Sequence, residues 1–178
     1  PTLLIAPAAS KAYKNWTIDG YAALADHAAE RGFQVLLCGG PTPLERQMAS
    51  DIQARCQQQP GNLIGQTSLK QLMALIKRAQ LVLAPDTGPT HMATAAGVPV
   101  IGLYAHHNPE RTGPYRCREF VVSVYQSLME AQSGRPLAEL PWRSRLKDPF
   151  AMHHIKPEQV MARFDTICQL HGLCKENS

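Results

Sequence analysis

Short, nearly all-apolar runs alternate along this chain with longer stretches of helical periodicity. Thr2–Pro7 (TLLIAP), Phe33–Cys38 (FQVLLC), the brief Asn62–Ile64, Leu81–Ala84 and Val98–Leu103 read as five strands. Strands apolar on both faces belong in a parallel sheet that is covered on both sides. Between them, Thr17–Arg31 puts Leu24, Ala25, Ala28 and Ala29 on one face, with Gly32 beyond its end as a stop. Pro43–Gln58 is a second helix, broken by Pro60-Gly61, and Ser68–Arg78 a third, with Ser68 as its N-cap. Pro89–Ala96 is a small helix that ends at Gly97. Phe120–Val124 predicts a sixth strand, and residues 130–150, rich in Arg, Pro and Ser, read mostly as loop. A last amphipathic helix starts at Lys156-Pro157-Glu158 and runs to about Leu170, with Val160, Phe164, Ile167 and Cys168 on one face.

This alternation predicts an α/β fold, a Rossmann-like parallel sheet with helices on both faces. In such a sheet every strand-to-helix turn lies on one carboxyl edge, where ligands bind. Three of those turns, residues 8–16, 39–45 and 85–91, hold most of the polar chemistry of the first hundred residues.

Composition narrows the class. A chain of 178 residues, 44% hydrophobic and 18% charged, suits a single globular domain with a filled core rather than a disordered segment. The net charge of +4 is concentrated late, in Arg111, Arg116, Arg118, Arg135, Arg143, Arg145 and Lys147. That balance reads as a solvated basic face, or as attraction to phosphorylated ligands or an anionic membrane surface. The basic residues carry no interleaved aromatics, so nucleic acid is not the expected partner. Five cysteines without C-x-x-C spacing predict neither a disulfide framework nor a zinc site, and a reducing cytoplasm is the default expectation. No signal peptide is recognisable, and no run of about eighteen apolar residues occurs. The chain begins at Pro1, directly in an apolar strand, which suggests an excised domain.

The stretch Asp86-Thr87-Gly88-Pro89-Thr90-His91 joins a buried strand to a helix start, where free N–H groups and the helix dipole attract anions. With Pro89 first in the helix and Gly88 as N-cap, the amides of Thr90 and His91 are expected to be open to a ligand phosphate. Thr87 can donate to the same group, and His91 either to it or to a backbone carbonyl. A carboxylate repels phosphate, so Asp86 suits sugar hydroxyls or bracing of the turn. In the first loop, Ser10 with Lys11 or Lys14 can bind a diphosphate by hydrogen bond plus charge, and Trp16 anchors the loop in the core. Beyond the second strand, Glu45 is placed either for ribose hydroxyls or as a favourable first-turn helix charge. The chain contains no G-x-G-x-x-G, no P-loop and no nucleophile elbow. Its adjacent pairs His106-His107 and His153-His154 lack the spacing of metal ligands on a helix. Arg111 and Gly113-Pro114-Tyr115 follow the fifth strand and can reach the same cleft.

With Lys14-Asn15-Trp16, Gly39-Gly40 with Glu45, DTGPTHMATAAGVPVIGLY (86–104) and Gly113-Pro114, the chain resembles the C-terminal half of glycosyltransferase family 9, the ADP-heptose:lipopolysaccharide heptosyltransferases. Residues 152–160 (MHHIKPEQV) resemble the family's closing helix. The resemblance implies one nucleotide-sugar-binding Rossmann-like domain over residues 1–178, the donor-binding half of a GT-B fold, with the N-terminal acceptor domain absent from this chain. It implies a bacterial, cytoplasmic transferase at the inner membrane that transfers heptose from ADP-heptose to the lipopolysaccharide inner core. Ser10 and Lys14 then contact the donor diphosphate, and Lys14 also stabilises the leaving group. Glu45 holds the ribose, Asp86 the heptose hydroxyls, and Thr87, Gly88 and His91 the sugar-phosphate end. No metal or cofactor is expected, and no catalytic base in this chain, so the isolated domain binds donor without transferring it. The histidines of the Ala105–Asn108 loop depart from the small or hydroxyl residues expected there. Two other readings stay open: half of a GT-B UDP-sugar epimerase, and a receiver-like regulatory module. The latter lacks acids at the end of its first strand.

Overall fold

In the computed structural model, which describes residues 1–174, six parallel strands form one sheet in the order β3-β2-β1-β4-β5-β6. In chain order the elements are β1 (Thr2–Ile5), α1 (Ile18–Glu30), β2 (Gln34–Leu37), α2 (Pro43–Arg55), β3 (Gly61–Asn62), α3 (Leu69–Arg78) and β4 (Leu81–Pro85). There follow α4 (Gly88–Ala96), β5 (Val100–Tyr104), the one-turn α5 (Pro109–Thr112), β6 (Val122–Ser123), α6 (Tyr125–Ser133) and α7 (Pro157–His171). Every residue of β4 and β5 is buried, as strands sandwiched between helices must be.

The helix punctuation follows from the sequence. Thr17 accepts a bond from the Gly20 amide (3.0 Å) to start α1, and Gly32 takes the left-handed φ of +82° just past its end. Ser68 and Gln71 form a reciprocal capping box on α3. On α7, Val160, Phe164, Ile167 and Cys168 are all buried, and Asp165 accepts from His27 (2.9 Å) and Arg31 (2.8 Å), tying α7 to α1.

Several expectations shift. The second helix stops at Arg55, because Cys56 already has extended backbone. The third strand is Gly61–Asn62 rather than Asn62–Ile64, paired with Leu36 and Leu37 at the sheet edge. Residues 125–133 form α6, whose last turn lies in the segment expected to be loop. A left-handed Gly134 (φ +68°) ends it, and Tyr125 and Met129 are its buried face. Half-buried Leu128 packs beside them, and three apolar positions within five residues are too few to mark a period.

Trp16 does anchor the loop after β1. It is buried, stands edge-on to Tyr21 and donates from Nε1 to the Ile155 carbonyl at 3.0 Å. A Cβ on Gly20 would come within 2.5 Å of its ring, so only glycine lets α1 pack this closely. The segment before α7 therefore holds the loop that carries Lys14. Trp16→Phe is expected to destabilise the chain by about 1–3 kcal/mol, the cost of an orphaned buried carbonyl. An unchanged midpoint in urea unfolding would show the bond to be incidental.

Candidate functional site

Sheet order decides which polar loops meet. β1 lies between β2 and β4, so the loops after β1 and β4 leave the carboxyl edge side by side. Lys14, closing a 3-10 turn at Ala12–Lys14, reaches across and places Nζ 3.1 Å from Asp86 Oδ2. Each side chain is less than one-fifth exposed. His107, from the loop after β5, brings Nδ1 to 3.3 Å from the same Oδ2. Both contacts fall on one oxygen, and Oδ1 has no protein partner among the described residues. Tyr104, Ala105, His106 and Met152 complete a narrow pocket around the pair.

The start of α4 differs from expectation by one residue. Thr87, not Gly88, is the N-cap, and Gly88 and Pro89 are the first two helical residues. Thr90 is not open to a ligand: its amide donates to the Thr87 carbonyl (3.2 Å) and its buried hydroxyl to Pro85 O (2.7 Å). The Thr87 hydroxyl makes no capping bond, and Gly88 is exposed with open space where a Cβ would sit. At this terminus the Gly88 N–H and the Thr87 hydroxyl have no protein partner among the described residues. His91 is exposed one turn along, and Ser10 is exposed at the head of the β1 loop.

Glu45 stands apart from the Lys14–Asp86 pair. Its Oε1 accepts from the Gly40 amide (2.8 Å) and its Oε2 from the Thr42 hydroxyl (2.7 Å) and amide (3.4 Å), while the Glu45 amide donates back to the Thr42 hydroxyl (3.2 Å), a capping box at the start of α2. Gly39 and Gly40 allow that approach, since a Cβ on either would lie about 3 Å from the carboxylate. A carboxylate has about four lone-pair sites, so these bonds orient it and leave acceptor capacity.

Burial is the main cause that pushes both histidines of the β5 loop below the usual imidazole value. Lys14 adds to this for each, and Arg111 and Arg145 for His107; Asp148 pulls the other way on His106 and Asp86 on His107. His107 thus faces Asp86 with burial working against its cationic form. Burial, and secondarily Asp86, raises Tyr104 far above the usual phenol, and its hydroxyl donates to the Thr112 carbonyl (3.2 Å). The histidine pair was visible in the sequence, but nothing there showed that His107 meets Asp86. Among the described residues no three His, Cys, Asp or Glu side chains gather into a metal-binding cluster. No helix of these residues is long and apolar enough to cross a membrane.

Residues 1–142 match the protein family described as glycosyltransferase family 9 (heptosyltransferase). The chain belongs to that family. It is 47% identical over 161 residues to the lipopolysaccharide core heptosyltransferase OpsX of Haemophilus influenzae, covering 90% of this chain and 46% of that protein. It is 34% identical over 103 residues to lipopolysaccharide heptosyltransferase 3 of Escherichia coli, which is 57% of this chain and 30% of that one. Among solved structures, a family 9 glycosyl transferase from Veillonella parvula superposes with a TM-score of 0.75 at 22% identity, over 95% of this chain and 46% of its own. The E. coli ADP-heptose lipopolysaccharide heptosyltransferase II gives 0.74 at 22%, over 97% and 47%. The fold is thus one Rossmann-like half of a GT-B enzyme, and the chain spans about half the length, or less, of the curated relatives it matches. Family membership sets aside the epimerase and receiver readings.

The histidine shifts set a pH dependence. A folded-state value below the unfolded one means that the unfolded chain binds more protons between the two. The contribution of His106 and His107 is therefore fully present above about pH 6.5 and is lost as pH falls below it. Thermal unfolding is expected to drop between pH 7 and 5.5, and the His106→Gln/His107→Gln double variant to flatten that drop. An equal slope in the variant would place the proton uptake elsewhere.

Proposed function

We propose that this chain is the donor side of a heptosyltransferase, binding an ADP-sugar along its carboxyl edge for transfer to a lipopolysaccharide core acceptor. The observation that carries this reading is the Lys14–Asp86 pair, placed where the two halves of the sheet part. A bare carboxylate beside a diphosphate is repulsive. With an ammonium 3.1 Å away, Asp86 becomes compatible with it, and the three donors of Lys14 let it hold Asp86 and a phosphate oxygen together.

In this reading Ser10 and Lys14 hold the diphosphate, and Thr87, the Gly88 amide and His91 receive the sugar-phosphate end. The free Oδ1 of Asp86 accepts from heptose hydroxyls, and Glu45, oriented by its own turn, accepts from the ribose. Transfer breaks the bond between the anomeric carbon and the phosphate oxygen as an acceptor hydroxyl attacks. The charge that develops on the departing ADP meets Lys14 and the positive end of α4, without a metal or cofactor. In this reading the general base and the acceptor site belong to the N-terminal domain, and the enzyme works in the cytoplasm at the face of the inner membrane. OpsX, the relative with the widest coverage quoted above, supports this as a core heptosyltransferase by its description.

Calorimetry tests the reading directly. ADP and ADP-heptose are expected to bind the chain, and UDP to bind more weakly. Lys14→Ala weakens both adenine ligands about tenfold, whereas Asp86→Ala weakens ADP-heptose alone by a similar factor. No heptose transfer is expected from the 178-residue chain. If neither substitution alters binding, the crevice is misassigned, and transfer by the chain alone would overturn the placement of the base.

A further inference from the structure

The late basic residues divide into two kinds. Arg118 and Arg135 are ion-paired with Glu110 and Glu139. Arg143, Arg145 and Lys147 have no hydrogen-bond or ion-pair partner among the described residues. They lie on or just before a strap, residues 145–149, that rests against the histidines of the β5 loop. Arg145 is close enough to His107 to act on its titration, which sets this row of cations beside the crevice.

Alternate residues of the segment are tied inward. The Tyr125 hydroxyl donates to the Ser144 carbonyl (2.7 Å), the Leu146 amide donates to the His106 carbonyl (3.0 Å), and the His106 ring bonds the Asp148 carbonyl through Nε2 (2.7 Å). Ser144 and Asp148 are half-buried and Leu146 is buried, whereas Arg143, Arg145 and Lys147 between them are exposed. That is the period of an extended chain, with anchors on one side and cations on the other. The one carboxylate of the segment, Asp148, has its Oδ1 taken by the Phe150 amide (2.8 Å) and is committed to the turn.

Both ends of the row carry an aromatic ring in solvent. Of the two tryptophans, Trp16 is in the core and Trp142 is 59% exposed. Phe150 is 64% exposed. A single exposed ring is ordinary on a protein surface, but two that bracket three unpaired cations are not. Cations strung along a line answer a surface of many charges better than one small anion, which needs them converged on a point. Nucleic acid offers many charges, but base stacking needs rings set among the phosphate contacts, and here they stand outside the row. A bilayer of acidic lipids meets both requirements, with phosphates for the cations and a headgroup boundary for the rings.

We infer that the strap, with Trp142 and Phe150 at its ends, docks the chain on an anionic phospholipid surface. Three cations and two rings make that binding reversible rather than permanent. The docking surface rests on the strap alone; its purpose, to hold the crevice beside a membrane-borne acceptor, rests on the donor reading above.

Vesicle co-sedimentation with the full chain tests it, using phosphatidylcholine alone and an equal mixture with phosphatidylglycerol. The chain is expected to bind the mixture at least tenfold more tightly, and added salt to weaken that binding. Arg143→Ala/Lys147→Ala is expected to weaken it about fivefold for each cation removed. Lys77→Ala/Arg78→Ala, which removes the same charge at the far end of α3, leaves it unchanged. Tryptophan emission is expected to shift to the blue on the mixed vesicles, and the shift to vanish in Trp142→Phe, since Trp16 is already buried. Equal binding to the neutral vesicles, an unmoved emission, or equal losses in the two double variants would overturn the inference. So would binding of a single-stranded oligonucleotide through the same residues without binding to vesicles. ADP calorimetry on the Arg143→Ala/Lys147→Ala variant is expected to match the parent chain. If the parent binds anionic vesicles through the strap but not ADP, the donor reading falls and the docking surface stands. The converse result removes the docking surface alone.

Discussion

Lys14 and Asp86 are 72 residues apart in sequence and 3.1 Å apart in space because β1 and β4 are neighbours in the sheet. The sheet grows outward from β1 toward β3 and then, after one crossover, outward from β4 toward β6. Such reversal opens a crevice between the two central loops. Everything else in the site is arranged around that pairing. Trp16 and the segment before α7 fix the loop of Lys14, Thr90 bonds back to Pro85 and fixes the turn of Asp86, and His107 closes the pair from the third strand along.

On the proposed reading, the charge arrangement is what makes the crevice selective. Diphosphate binding needs positive potential, and sugar recognition needs hydrogen-bond acceptors, and those requirements conflict at close range. Here the conflict is resolved by splitting one carboxylate. Oδ2 of Asp86 faces the Lys14 ammonium and the Nδ1 edge of His107, while Oδ1 has no protein partner among the described residues. The low exposure of both partners matters, because an exposed ion pair of this length would contribute little and fix nothing. His107 does not titrate into a second cation in the neutral range, since burial and Lys14 depress it. It therefore supplies direction rather than charge.

Much of this was legible in the sequence where local pattern carries the information. The apolar runs gave the sheet, the spacing of Val160, Phe164 and Ile167 gave the face of α7, and Trp16 next to a strand end gave a core anchor. Where a single residue of register decides the chemistry, pattern was insufficient. Pro89 is favourable at either of the first two helical positions, so the sequence could not say whether Gly88 caps α4 or begins it. Glu45 was weighed as ribose ligand or helix charge, and its reciprocal bonds with Thr42 make it a capping residue whatever else it holds. Its role toward a ribose, like the ligand roles of Ser10, Thr87 and His91, is a matter for binding experiments. His106 and His107 were conspicuous but uninterpretable, because their partners lie on a strap roughly forty residues on and a turn roughly twenty residues back.

The crevice and the strap beside it are held by different means. Asp86 follows directly on a buried strand and Glu45 sits in the first turn of a helix, while Lys14 closes a 3-10 turn that Trp16 ties to the core. The strap at 145–149 is tied on by two hydrogen bonds and one buried leucine. Releasing it costs on the order of 3–5 kcal/mol, taking about 1 kcal/mol for each bond and the transfer of a leucine side chain to water. That is within reach of a ligand's binding energy and below the stability of a typical domain. Substitution within residues 145–149 therefore leaves the Lys14–Asp86 pair in place, whereas substitution at His107 acts on Asp86 directly.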